Sequence, residues 1–351
     1  MATERYVPNE RGRIRIEGFE PERVIEREPL SDWSEDAGEE TLGRWRRALR
    51  RFVRNRSAML GLFVVLVMSL LAIFARPIEV AGVTVQPYAI APYSPSDIVA
   101  FYGSDAGIYA PPSWQHPFGT DETGRDLFTR VLYGGRYSIS IGFVVVLLTA
   151  SFGIVYGSIS GYFGGWVDEV LMRFVDLIFA FPGLVLALII VAMLGGGYWQ
   201  LVAAFTLVGW ASYARIIRGE VLSVKQNEYV LAAKALGARD RSIIFRHVVP
   251  NALAPVVVQA SLSVGTVVIG VAALGFLGVG FDPGTPEWGT MLDATRETLI
   301  AGPTGSIPWW ATVFPGLAIF LFVMAMNLIG DGINDALDAQ QGGVAVQGGG
   351  G

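Results

Sequence analysis

Few side chains in this sequence are equipped for covalent chemistry. There are two histidines, His116 and His247, two lysines, Lys225 and Lys234, and no cysteine. Lack of cysteine excludes disulfides, Cys-ligated zinc and thiol catalysis together. Two histidines are thin material for a metal or acid–base site, so no metal ligand and no catalytic residue is assigned. A phosphate-cradling loop needs Gly-Lys-Ser/Thr. Lys225 follows Val224 and Lys234 follows Ala233, so the chain does not hold ATP by that route. What remains is the chemistry of a contact surface. Residues 228–250 read EYVLAAKALGARDRSIIFRHVVP, polar and basic, between two long apolar runs. That stretch is too short for a soluble domain and too charged to cross a bilayer, so it is a loop that presents a surface. Ala232, Ala233 and Ala235 form a small-residue face, and Gly237 provides a break or a close approach. Arg239, Asp240 and Arg241 open a second short helix, which Pro250 is expected to stop.

The elements that position this loop follow from composition. Of 351 residues, 52% are hydrophobic and 16% charged, against about 25% charged in an ordinary soluble domain. Apolar runs of roughly 18 residues or more make the chain an integral membrane protein. Six spans are expected, at about 58–75, 138–156 (continuing to 161), 170–194, 200–217, 252–274 and 310–329, the last five forming a core over 137–338. Residues 1–43 lack apolar periodicity and read as a flexible tail; residues 44–57 form a basic juxtamembrane segment. Its arginines, Arg44, Arg46, Arg47, Arg50, Arg51, Arg54 and Arg56, immediately precede the first span. By the positive-inside rule they stay in the cytoplasm, where they can also meet anionic membrane lipid. Six spans then put both termini in the cytoplasm. The loop 218–250, with Lys225, Lys234, Arg239, Arg241 and Arg246, falls on the same face. Residues 76–136 and 275–308 lie outside as ordered caps, and the Gly/Gln-rich residues 339–351 read as disordered.

Other polar groups have local explanations. Phe118-Gly119-Thr120-Asp121, Gly124-Arg125-Asp126 and Leu132-Tyr133-Gly134 precede the second span. Thr120 or Asp121 is suited to cap a helix there, with Arg125 and Asp126 free to pair. At the start of the third span, Arg173 stands at pairing distance from both Glu169 and Asp176 along one helical face. Gln259 is a polar residue within the fifth span, explained by inter-helix hydrogen bonding or by lining a path. Asn327 near the end of the sixth is explained by helix contact. Pro182, Pro255 and Pro315 should loosen local backbone bonding. Gly153, Gly157 and Gly161 recur every four residues and favour close helix approach.

With these residues in view, the chain is similar to permease subunits of ATP-binding-cassette (ABC) importers. Their coupling loop reads E-A-A, three residues, Gly, nine residues, an apolar residue, any residue, Leu-Pro. Ala232 and Ala233 match its alanines, Gly237 its glycine and Val249-Pro250 its end; Leu231 and His247 depart from it, and Glu228 stands near the missing glutamate. The segment 118–126 resembles the FGTDxxGRD box of the dipeptide/oligopeptide/nickel permeases, joined by GYFGGWVDE at 161–169 and ALGFLGVG at 273–280. The resemblance covers about 51–338. It implies an all-α polytopic membrane bundle of six transmembrane helices with type I importer architecture, in the plasma or inner membrane. It further implies a second homologous permease, two ATP-hydrolysing subunits and an external substrate-binding protein as partners. No cofactor is held by this chain and no nucleic acid is bound; ATP is hydrolysed by the partners. Glu228, Tyr229, Ala232, Ala233, Gly237, His247 and Pro250 would dock an ATPase subunit. Peptides are the implied cargo, with nickel chelates, glutathione and glycans as alternatives in the same family. A stand-alone secondary transporter is the rival reading. It would need intramembrane ion-coupling residues, and the spans carry no series of acids.

Overall fold

A computed structural model describes residue 43 and residues 46–80, 82–99, 107–296 and 307–338. The chain divides into two units, Met1–Arg47 and Ala48–Gly351, and all the helices below belong to the second. Residues 1–42 of the expected tail 1–43, and the whole of the expected tail 339–351, lie outside the described residues.

Helix α1 (Arg56–Phe74) starts at Asn55, whose side chain accepts the backbone N–H groups of Ser57 and Ala58 at 3.1 and 3.3 Å. A two-stranded antiparallel hairpin follows, β1 (Ile78–Val80) with β2 (Val83–Gln86), in register Ile78 to Gln86 and Val80 to Val83. This hairpin was not evident from sequence. Helix α2 (Leu127–Phe163) has 37 residues, roughly 55 Å at 1.5 Å per residue, far more than about 30 Å of hydrocarbon. The segment leading into the second span and the span itself are one continuous helix.

The third expected span is not continuous. It consists of α3 (Gly165–Phe179) and α4 (Gly183–Leu194), bent by 83° at residues 180–182. Pro182 has no N–H to donate and its ring excludes the preceding residue from helical geometry, which breaks the ladder there. Next come α5 (Tyr198–Val224), then α6 (Glu228–Ala235), α7 (Asp240–Ser242), a π-helical turn (Ile243–Val248) and α8 (Val249–Ala252) within the loop. Helix α9 (Ala254–Phe276), α10 (Trp288–Ala294) and α11 (Trp309–Asp338) complete the order. Pro255 falls in the first turn of α9, where a missing N–H costs nothing, whereas Pro315 lies inside α11. Among the described residues five helices are long and apolar enough to cross a membrane, and the bent pair makes a sixth crossing when counted as one.

Helix α2 runs through the centre of the bundle, packed against α5, α9 and α1. Its glycine stripe allows the closest of these approaches. A Cβ at Gly153 would stand 2.5 Å from the Tyr213 Cβ, and one at Gly157 would overlap the Ala214 carbonyl oxygen. At Gly161 the Arg218 carbonyl oxygen lies 2.9 Å from the same point. Hydrogen at these three positions lets α2 and α5 touch backbone to backbone, as small residues do between membrane helices.

Candidate coupling surface

The loop between α5 and α9 is built by short-range rules. Glu228 in the first turn of α6 and Lys234 in the last complement the helix dipole. Its end is a Schellman motif: Ala238 N–H donates to the Ala233 carbonyl at 3.1 Å and Gly237 N–H to that of Lys234 at 3.0 Å. The motif requires a left-handed residue, and Gly237 supplies it at φ +80°. Nothing lies within 4 Å of a Cβ placed there, so the glycine makes a turn and not a close approach within the chain. Pro250 does not stop the second helix. The preceding turn widens instead, with Val249 N–H reaching the Ile244 carbonyl, and the helical run continues through Pro250 to Ala252.

One face of this loop belongs to the bundle. Val230, Ile243, Val248 and Ala252 are buried with Tyr213, Ile217 and Val221 of α5 and Val256 of α9. The opposite face is bare. Leu236 is 88% exposed, Leu231 54%, Phe245 49% and Tyr229 42%. Glu228, Ala232 and Gly237 are exposed beside them, while Ala233, His247 and Pro250 are partly buried. A shallow depression lined by Arg239, Arg241, Ser242 and Phe245 adjoins the patch. Leucines and aromatics standing in the open on a charged loop form the kind of apolar patch that marks a protein contact.

The loop is tied to the span ends beneath it. Tyr162 of α2 donates its hydroxyl to Asp240 Oδ1 at 2.6 Å. Lys225 donates to the Gly161 and Tyr162 carbonyls at 2.7 and 3.3 Å, closing the end of α2. About two turns earlier in α5, Arg218 forks onto Asp168 of α3 at 2.5 and 2.6 Å, and Ser160 of α2 donates to the same carboxylate. Arg215 pairs with Asp176 at 2.9 Å. Asp168 and Asp176 of the third span therefore pair across helices. No ion pair joins Glu169 to Arg173 or Arg173 to Asp176 among the described residues; Arg215 of α5 takes Asp176. Sequence reading missed Tyr162, Arg215 and Arg218; only the packing of α2, α3 and α5 brings them to their partners.

At the other end of α2 the 118–126 box is a clamp. Asp126, not Thr120 or Asp121, caps the helix, accepting Thr129 N–H at 2.8 Å. It also pairs with His116 Nδ1 at 2.9 Å, and His116 stacks on Tyr93 at 5.4 Å. Asp121 accepts the backbone N–H groups of Thr123 and Arg125, both at 2.9 Å, and the Arg125 Nε at 2.7 Å. Arg130, 3.2 Å from that carboxylate, donates to the carbonyls of Pro95 and Gly284 and so holds two outer segments together. Thr120 donates to Gly107 O and accepts from Ala110 N–H, both at 2.7 Å. Gly119 and Gly124 take φ +75° and +78° to make the turns, and Phe118 stacks on Phe314 at 3.9 Å. Glu122 meets Arg125 at 2.6 Å, yet burial, with Asp121 beside it, raises its carboxyl above the usual glutamate range. Sequence reading also passed over Glu287. It is fully buried, caps α10 through Thr290 N–H and accepts a bond from Ser138 of α2 at 3.0 Å.

Gln259 lies on the wall of a cavity of about 240 Å³ between α2, α4, α5 and α9. Its amide donates to Ser263 one turn along the same helix at 3.0 Å, not to a neighbouring helix.

These features define a multi-pass helical membrane protein with an exposed apolar face on a loop strapped to its span ends. Comparisons with known proteins identify its family. Residues 153–341 match the family "Binding-protein-dependent transport system inner membrane component", and residues 43–112 match "N-terminal TM domain of oligopeptide transport permease C". The chain is 40% identical over 294 residues to the dipeptide transport system permease protein DppC of Alkalihalophilus pseudofirmus, covering 84% of this chain and 89% of that protein. It is 39% identical to the glutathione transport system permease protein GsiD of Shigella dysenteriae, covering 84% and 90%. A solved structure of the methionine ABC transporter MetNI in an inward-facing form aligns with 58% of this chain and 96% of its own, at TM-score 0.45 and 16% identity. The chain belongs to the binding-protein-dependent transport system inner membrane component family. It is a multi-pass permease subunit of an ABC importer, a family that works with ATPase subunits and a substrate-binding protein.

Proposed function

We propose that this permease carries short peptides and is driven through residues 228–250. Support for the cargo comes from the two sets of relatives, whose names specify dipeptide and glutathione; both are short peptides. Nickel chelates and glycans remain the alternative cargoes. In this reading the chain pairs with a second homologous permease, receives cargo from an external binding protein, and keeps both termini and the loop on the cytoplasmic face. The single observation that carries the docking role is the bare patch of Leu236, Leu231, Phe245 and Tyr229 on a loop whose opposite face packs into the bundle. An ATPase subunit grips this patch, with Glu228, Ala232, Ala233, Gly237, His247 and Pro250 in or beside the contact. When the ATPase pair closes on ATP, the loop moves as a lever. Tyr162–Asp240 and Lys225 pass the motion to α2, and Arg218–Asp168 passes it to the broken span α3–α4, which changes the side to which the path opens.

Reconstitution tests this. The assembled complex in liposomes should hydrolyse ATP and accumulate a labelled dipeptide. The chain by itself, given an imposed proton or sodium gradient, should do neither. Gradient-driven accumulation by the single chain would replace the proposal with a secondary transporter.

A further inference from the structure

The cavity beside Gln259 carries an unusual set of groups. Its polar wall is made by Thr149 of α2, Ser212 and Tyr213 of α5, and Gln259, Ser263 and Thr266 of α9; among the described residues no charged side chain lines it. Tyr213 is 3% exposed, and its hydroxyl lies against Ser263 and Thr149 on the cavity wall. Gly183, the first residue of α4 after the 83° break, completes the wall, so the bend of the broken span borders the cavity.

We propose that this cavity is a transit subsite for an uncharged hydrogen-bonding group of the cargo, of the peptide-amide class. The proposal rests on the peptide reading above and adds where and how the chain handles the cargo. Donor and acceptor are both on offer. The Gln259 carboxamide carries both, complementary to an amide, and the Tyr213 hydroxyl stands on the same wall. At about 240 Å³ the space falls below the roughly 300–1,000 Å³ of ordinary ligand pockets. It therefore admits one residue-sized portion at a time and does not store a whole ligand. An uncharged wall also means that charged termini or side chains gain nothing here, so the subsite passes peptides without sorting them by charge.

The absence of native cysteine makes the test direct. Ser263→Cys in the assembled complex is treated with methanethiosulfonate reagents bearing a neutral amide, a cationic ammonium or an anionic sulfonate head. Rates are normalised to Ser242→Cys on the exposed loop. The neutral reagent should react at least about tenfold faster than either charged one, a factor of the size one hydrogen bond or more supplies. Separately, Tyr213→Phe, which keeps the ring, and Gln259→Leu should each lower uptake of labelled glycyl-leucine about tenfold. ATP hydrolysis and recovery of the complex should stay unchanged. Equal normalised rates for the three reagents would overturn the proposal, and so would wild-type uptake in both variants. Should the unsubstituted complex take up no dipeptide, the peptide assignment fails instead, and the reagent ratio alone decides the subsite.

Discussion

Two neighbours on one short helix separate a docking surface from a folding core. Leu236, at the end of α6, is 88% exposed, whereas Val230 in its first turn is 3% exposed and packed beneath the loop. Fully burying a leucine is worth about 1.5–3 kcal/mol. Seating Leu236 in a cleft of an ATPase subunit therefore contributes about 2 kcal/mol, which Leu236→Ser removes. That is roughly a 30-fold rise in Kd, since 1.4 kcal/mol is a factor of ten. The same substitution touches nothing inside the permease, so its thermal stability should change by no more than about 0.5 kcal/mol. Val230→Ser should do the reverse. It opens a gap and buries a hydroxyl under the loop, destabilising the permease by about 2–3 kcal/mol. The assay is titration of the permease, held in lipid nanodiscs, with the ATPase subunit, alongside thermal unfolding of the permease alone. Wild-type ATPase affinity in Leu236→Ser would refute the docking role of this patch. Equal loss of permease stability in both variants would show that α6 is core on both faces.

Three further outcomes are expected. Single cysteines at Gln115 and Ser242, both exposed, should label from opposite sides of the membrane with an impermeant thiol reagent; labelling of both from outside would overturn the proposed six-span topology. Gly157→Leu should lower thermal stability by at least about 1–3 kcal/mol through overpacking, because the added Cβ overlaps the backbone of α5 at Ala214; an unchanged melting temperature would mean that α2 and α5 are not in backbone contact. Glu122 has a carboxyl raised by burial and by Asp121, so folding favours its protonated form, and that contribution is present at low pH and lost as pH rises through the raised value. Glu122→Gln should accordingly stabilise the permease at neutral pH, the gain shrinking as pH falls toward the ordinary glutamate range; a pH-independent difference in melting temperature would refute the assignment.

Local chemistry explains what could be read without a structure. Whether some twenty residues prefer hydrocarbon to water depends on their own side chains, so the helical membrane class and five of the six expected spans were legible, as was the short polar segment 228–250; the 83° bend inside the third was not. The Schellman turn at Gly237 and the glycine stripe on α2 are likewise short-range patterns. Partner choice is not short-range. Arg173 has acids at helical spacing on both sides, yet one of them, Asp176, is taken by Arg215 of α5, 39 residues away, because α3 and α5 pack side by side. Asp121 and Thr120 carry capping side chains, but the chain path gives the cap to Asp126 and turns Asp121 toward Arg125 and Arg130. Pro182 and Pro250 present the same missing N–H. One breaks its helix by 83°, while the other is absorbed by a π-helical turn. Neighbouring helices decide between the two, since the energy of a freed carbonyl depends on what else lies near enough to satisfy it.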